Sequence, residues 1–89
     1  MAPATYYRVT IDGGAVIATG VMQRCAIEAL PTLRAGRRVY VRCTTQGNGH
    51  CVMFQQRNDG PLLVEPTLWG QACPSPSWAE QFTALFTTI

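Results

Sequence analysis

Apolar and polar residues alternate along residues 37–57, and this alternation limits the fold more than any other feature of the sequence. The alternating runs flank Gly47-Asn48-Gly49, a combination typical of hairpin turns, so the segment predicts two antiparallel strands. A two-residue turn at Asn48-Gly49 would place Gly47 directly opposite His50. The segment contains four of the seven arginines, two of the four cysteines and the single histidine of the chain. The direction in which these side chains point decides what the hairpin can bind.

A turn with an even number of residues gathers the apolar side chains of this hairpin on one face. That face carries Val39, Val41, Cys43, Thr45, Val52, Phe54 and Gln56. The opposite face carries Arg38, Tyr40, Arg42, Thr44, Cys51, Met53, Gln55 and Arg57. Because a slip of one residue moves every side chain to the other face, the apolar pattern favours the even turn. The sequence therefore predicts a buried valine face and an exposed face of arginine and tyrosine.

The N-terminal part of the chain predicts another hairpin and a helix. Residues 5–20 alternate around Asp12-Gly13-Gly14, with a short return strand at 15–18. Residues 22–33 then carry apolar side chains at the spacing of one helix face. Pro31 lacks an amide hydrogen and clashes with the preceding turn, so it should kink this helix or restart it.

The C-terminal part predicts one more strand and a second helix. The strand is expected at 62–65, and the proline at 66 is typical of a sheet edge, where a missing donor does no harm. Residues 70–76 are expected to form a loop. Ser77 and Glu80 have the S-x-x-E spacing of a capping box, and apolar residues at helical spacing follow them.

The predicted order is β-β-α-β-β-β-α in a single domain, residues 1–89, which indicates an α+β fold with an antiparallel sheet and both helices on one sheet face. The first half resembles a β-grasp arrangement, a likeness of fold that implies no function. Charged residues make up only 13% of the chain, about half the usual ~25%. So few charges favour a protein that leaves apolar surface for a partner or a second copy.

The cytoplasm is the expected location. The chain begins Met1-Ala2-Pro3 without a basic segment and an apolar core, so no signal peptide is predicted. No apolar run approaches the ~20 residues of a membrane helix. The four cysteines should then be reduced thiols.

Metal binding and catalysis are both disfavoured by the placement of the candidate side chains. The sulfur and imidazole ligands available to zinc are Cys25, Cys43, His50, Cys51 and Cys73, but no pair has C-x2-C spacing. The even turn also sends Cys43 and Cys51 to opposite faces, which argues against a shared ion or a disulfide. His50 and Cys51 alternate in the same way, so they should not form a catalytic pair. We therefore expect no metal, no cofactor and no enzymatic activity.

The arginine and tyrosine face is the expected binding site. Its candidate partner-binding residues are Tyr6, Arg8, Arg38, Tyr40, Arg42, Met53 and Arg57. All seven basic residues of the chain are arginine, whose planar group can bind carboxylate or phosphate in a bidentate manner. Tyrosine, arginine and methionine are enriched at protein interfaces, so docking on a larger protein or nucleoprotein complex is the first expectation. A single-stranded nucleic-acid-binding protein is the alternative, and a solvated face without a ligand is the third.

Two further expectations concern the setting and the oligomeric state. Small chains without catalytic residues occur among inhibitors encoded by phages and mobile elements, including inhibitors of host nucleases such as anti-CRISPR proteins, and that class is the expected setting. A homodimer is also expected, because the last strand offers an open edge with unusually apolar side chains. The candidate residues for this dimer edge are Leu62, Leu63, Leu68 and Trp69.

Overall fold

A computed structural model describes residues 5–12, 14–45, 49–58 and 60–88 of the chain. In these residues the chain forms six strands and two helices. The elements are β1 (Tyr7–Ile11), β2 (Val16–Gly20), α1 (Met22–Arg34), β3 (Val39–Cys43), β4 (His50–Gln56), β5 (Leu62–Leu68), β6 (Gln71–Ala72) and α2 (Ser77–Thr88). The predicted α+β class and order are confirmed, with β6 as a short addition.

The strands form one antiparallel sheet in the order β2-β1-β3-β4-β5-β6. Since β2 and β3 are both antiparallel to β1, they run parallel to each other. Parallel strands need a crossover connection, which α1 supplies, and β1 lies between them in a split βαβ unit. The likeness to a β-grasp is limited to the order of the elements along the chain. It does not cover the pairing of the strands, since β3 lies directly beside β1 and is antiparallel to it.

The pairing of β3 with β4 confirms the predicted faces but corrects the predicted turn. Val41 lies opposite Val52, and Arg42 lies opposite Cys51. This register is offset from the one that a two-residue turn would give. The turn residues 46–48 lie outside the described part of the chain. Because the offset is an even number of residues, the side chains of the paired residues keep their predicted faces.

Helix α1 continues through Pro31 to Arg34, so of the two predicted alternatives at the proline, a kink or a restart, the restart is wrong. Its end has the hydrogen bonds of a Schellman motif. The amide of Gly36 donates to the Leu33 carbonyl (3.0 Å), and the amide of Arg37 donates to the Thr32 carbonyl (3.3 Å). Gly36 has a φ of 80°, a left-handed conformation that glycine adopts without steric cost. This turn directs the chain into β3.

Helix α2 begins at Ser77, where the sequence predicted a capping box with Glu80. Within the described residues, neither side chain makes a capping hydrogen bond, so that prediction is wrong. The first turn is closed instead by the Ala79 amide, which donates to the Pro76 carbonyl (2.9 Å). A helix of this length is marginal alone, and the packing of its aromatic face on the sheet supplies the stability that the cap does not.

Both helices pack on the same side of the sheet, as predicted, and the core lies between them and the strands. Phe82 is fully buried and contacts four other aromatic rings, with centroid distances from 5.1 to 6.1 Å. The buried hydrophobic residues of this core are Tyr7, Val9, Ala18, Cys25, Ala26, Ala29, Leu30, Leu33, Val39, Val41, Cys43, Val52, Phe54, Trp78, Ala79, Phe82 and Phe86.

The last part of the sheet is longer than the sequence predicted. Strand β5 runs through Pro66 to Leu68, and the expected loop after it contains β6. Trp69 and Gly70 connect the two strands with φ values of 50° and 82°. Positive φ at both central residues is typical of a type I′ turn, which favours asparagine and glycine over tryptophan. The two-residue β6 pairs only with Thr67 and Leu68.

None of the helices in the described ranges has the length and apolar character to cross a membrane.

All four cysteines are free thiols. Cys25 and Cys43 are buried, whereas Cys51 and Cys73 are half-buried. Burial is also the main cause that raises the pKa of the Cys25 thiol, whose Sγ lies 3.5 Å from the Gly20 carbonyl oxygen.

We expect this difference in burial to divide the thiols into two reactive classes. A thiol reagent added to the native protein should modify Cys51 and Cys73 first. Cys25 and Cys43 should react only after denaturation, because their buried sulfur atoms are closed to the reagent. Mass spectrometry of peptides from a time course would measure the four rates, and equal native rates at all four cysteines would contradict the packing of α1 on β1 and β2.

Candidate binding site on the outer sheet face

The sheet surface opposite the two helices is referred to below as the outer face. No described helix covers it. The cross-strand register places on this face the even-numbered side chains of β1 and β3 and the odd-numbered side chains of β4 and β5. They are Arg8, Thr10, Tyr40, Arg42, Cys51, Met53, Gln55, Leu63, Glu65 and Thr67.

Arg8 and Arg42 lie directly opposite each other in neighbouring strands of the outer face. Both are exposed. The ion pairs in the described part of the chain join Arg24 to Glu28 and Arg37 to Asp12, so neither residue of the Arg8–Arg42 pair has a carboxylate partner there. Like charges directly opposite each other destabilise a sheet. The sheet therefore holds two adjacent positive charges that an external anion would neutralise.

Two shallow depressions lie side by side on the outer face. The larger has a volume of about 310 Å³, and the smaller about 180 Å³. Tyr40 and Cys51 line both depressions and so lie along the boundary between them. The larger is also lined by Arg38, Met53, Gln55, Leu63, Glu65 and Thr67, and the smaller by Arg8, Thr10 and Arg42. The smaller depression is positively charged, whereas the larger combines apolar side chains with one charge of each sign.

Five of the seven residues predicted from the sequence lie together at these depressions: Arg8, Arg38, Tyr40, Arg42 and Met53. Met53 is only 8% exposed, so it forms part of the floor and offers little surface of its own. Tyr40 lies beside it on the neighbouring strand, in the same cross-strand row as Glu65 on β5. Four of the five side chains lie on β1, β3 or β4, and Arg38 directly precedes β3.

The remaining two predicted residues lie at the ends of the strands. Tyr6 is 47% exposed just before β1. Its carbonyl accepts a hydrogen bond from the Thr44 amide (2.9 Å), and its own amide donates to Thr45 Oγ1 (3.1 Å). Arg57 follows β4 and lines a separate polar depression with Ala35 and Asn58. Arg57 is therefore not part of the cluster around Arg8 and Arg42.

The contribution of β5 to the outer face was not predicted from the sequence. Leu63, Glu65 and Thr67 line the larger depression because β5 pairs with β4 along seven residues. The hydroxyl of Thr67 donates to the Cys51 carbonyl (3.1 Å), which ties the two strands together. The alternation of Leu63, Glu65 and Thr67 with their neighbours indicated that these three side chains share a face. No local sequence pattern showed which strand β5 would pair with.

The structure separates the side chains that the sequence offered for catalysis or metal binding. His50 lies opposite Leu68 and Cys51 lies opposite Thr67, so their side chains leave opposite faces of the sheet. Cys43 is buried on the helix side of the sheet, away from Cys51. Across the described ranges, no group of three or more histidine, cysteine, aspartate or glutamate residues could hold a metal ion.

The candidate dimer residues of the last strand do not share one surface. Leu62 packs against the core, whereas Leu63 points into the larger depression of the outer face. Leu68 is half-buried and pairs with Gln71 of β6. Trp69 is 80% exposed in the turn that follows. A dimer at this edge stays a prediction from the sequence.

No protein-family model, curated protein sequence or solved structure matches this chain. A function must therefore be inferred from the geometry and charge of the outer face.

Proposed function

We propose that this protein is a small, non-catalytic binding module that docks through its outer face on an acidic surface of a larger protein. The observation that carries the proposal is the exposed Arg8–Arg42 pair, two like charges opposite each other with no carboxylate partner in the described part of the chain. Such a pair lowers the stability of the free protein. A partner carboxylate would remove the repulsion and gain bidentate hydrogen bonds from the guanidinium groups.

The larger depression supports a protein as the ligand. Tyr40, Met53 and Leu63 give it apolar walls and floor, and its volume of about 310 Å³ would admit one side chain of a partner. A buried apolar anchor surrounded by polar contacts is the usual arrangement of a protein interface. Glu65 lines the same depression. Its negative charge would repel a phosphate backbone but could pair with a basic residue of a protein.

Single-stranded nucleic acid is the second candidate for the same face. Tyr40 lies between the two depressions and beside the Arg8–Arg42 pair, so a base could stack on its ring while phosphates contact the arginines. Glu65 and the low net charge of +2 weaken this candidate, because nucleic-acid binding depends mainly on phosphate neutralisation.

The cytoplasmic location and the inhibitor setting stay predictions from the sequence. Free thiols at all four cysteines are compatible with a reducing compartment.

Capture from an extract of the native host, with identification by mass spectrometry and reconstitution with the purified partner, tests the proposal. The wild-type protein should retain a specific partner that the Arg38→Glu/Arg42→Glu variant does not retain. Arg37→Glu is the control for the change of charge, because Arg37 lines neither depression and pairs with Asp12 at 3.8 Å. Thermal unfolding should show that all three proteins remain folded, and that the Arg38→Glu/Arg42→Glu variant is no less stable than the wild type.

A parallel titration with labelled oligonucleotides distinguishes a protein ligand from a nucleic-acid ligand. If nucleic acid is the ligand, the wild-type protein should bind at low salt and lose affinity steeply as salt is added. Retention of the protein partner by the Arg38→Glu/Arg42→Glu variant would remove the outer face as the docking surface.

A further inference from the structure

The two edges of the sheet differ in how well they are protected against pairing with another strand. At one edge, β5 contains Glu65 and Pro66 and is partly covered by β6. Prolines, charges, β-bulges and short covering strands are among the devices by which proteins block edge pairing. At the other edge, β2 has no described neighbour beyond it. Its sequence, Val16–Gly20, contains no proline and no charge.

The β2 edge is also flanked by exposed apolar side chains. Val16, Val21 and Ile27 are 55%, 44% and 50% exposed, and they are three of the five large hydrophobic residues exposed in the described ranges. A depression of about 360 Å³ lined by Val21, Ile27 and their neighbours lies on α1. A second depression of about 250 Å³ joins the same helix to the residues of β2. Strand edge and helix surface thus form one continuous area, which we refer to as the β2–α1 surface.

We propose that the β2–α1 surface binds a second copy of this chain, with β2 pairing antiparallel to its symmetry mate across a two-fold axis. A two-fold axis perpendicular to the sheet keeps both copies of α1 on the same side, where they would meet beside the paired strands. Such an interface uses the same patch on both copies. The pairing of β1 with β2 is irregular at Ile17, which lies between the paired residues Ala18 and Val16, whereas Ala18 to Gly20 keep a regular register.

Charge on α1 favours a second copy over an unrelated partner. Arg24 and Glu28 are one helical turn apart, with Arg24 Nε and Glu28 Oε1 at 3.2 Å, and both line the depression beside β2. Their side chains are 68% and 40% exposed. Two antiparallel copies of this helix would place Arg24 of each opposite Glu28 of the other. The surface is therefore complementary to itself in charge and in apolar character.

Sedimentation equilibrium of the full chain over a wide concentration range tests this inference. We expect a concentration-dependent dimer of the wild-type protein. Ile27→Glu should weaken it at least about tenfold, since it places an unpaired charge in the interface. Trp69→Glu puts the same charge on an exposed apolar residue near the opposite edge, where the sequence predicted a dimer, so it distinguishes the two edges. A dimer formed through β2 should be unchanged in this variant.

Reversal of the charged pair tests the two-fold geometry separately. Arg24→Glu or Glu28→Arg alone should weaken the dimer, and the double exchange should restore it, since both copies then regain opposite charges. Circular dichroism of each variant checks that α1 remains folded. A monomer at every concentration, loss of the dimer in Trp69→Glu but not in Ile27→Glu, or no restoration by the double exchange would overturn the inference. These experiments need no docking partner, so their outcome is independent of the function proposed for the outer face.

Discussion

Replacing Phe82 with alanine is expected to remove most of the stability of this protein. Phe82 is fully buried and its ring contacts those of Tyr7, Phe54, Trp78 and Phe86. Truncation of a buried phenylalanine costs about 3–5 kcal/mol. The net stability of a domain is only about 5–15 kcal/mol. Since α2 is held on the sheet by this aromatic cluster, we expect the variant to be largely unfolded or to lose the helix.

Urea denaturation followed by circular dichroism would measure this effect. Gln81→Ala is the matched control on the same helix, because Gln81 is exposed and such a change usually shifts stability by less than about 0.5 kcal/mol. Phe82→Leu, which keeps an apolar side chain, should fall between the two. A loss below about 1 kcal/mol in Phe82→Ala would mean that α2 does not pack on the sheet through this ring.

Replacing Arg42 with glutamate is expected to change stability and partner binding in opposite directions. The introduced carboxylate would face Arg8 across the strands and turn a repulsive pair into an attractive one. Cross-strand pairs contribute roughly 0.2–1 kcal/mol, so the free energy of unfolding should rise by an amount of that order. Binding to an acidic partner should fall about 30-fold or more, because breaking a buried charge pair costs about 2–5 kcal/mol.

A double-mutant cycle separates this pairwise effect from the change in net charge. Arg8→Glu alone should also stabilise the fold, whereas Arg8→Glu/Arg42→Glu restores two like charges and should lose the gain. Urea denaturation at low salt gives the four stabilities, and calorimetry with the reconstituted partner gives the affinities. Additive stabilities, without coupling between the two positions, would show that Arg8 and Arg42 do not interact in the folded protein.

Most of the secondary structure could be predicted from local patterns. The alternation in β1, β3 and β4 and the helical spacing in α1 and α2 each occur within a short stretch of sequence. The errors came from local signals that the folded context overrides. Pro31 does not end α1, and Ser77 and Glu80 do not cap α2. Packing against the sheet supplies more free energy to these helices than one backbone bond or one cap.

The sequence could predict only part of the candidate site. Arg38, Tyr40, Arg42 and Met53 belong to one hairpin, so their common face follows from strand parity. Arg8 joins them because β1 pairs with β3, a neighbour relation that no local pattern shows. Glu65 enters the site through β5 pairing with β4. It changes the charge of the larger depression, and with it the balance between a protein and a nucleic-acid ligand.

By itself, the sequence determined which side chains of each strand would share a face, because successive residues of a strand point to opposite sides whatever lies beside it. That is why the arginine–tyrosine face is correct although the register of β3 with β4 is not the one expected. Only the tertiary structure decided which strands are neighbours, that Arg8 and Arg42 stand opposite each other, and that β2 is left with an open edge. These features arise from pairing between segments distant in sequence, which depends on closing long loops around a common core and leaves no local pattern to read.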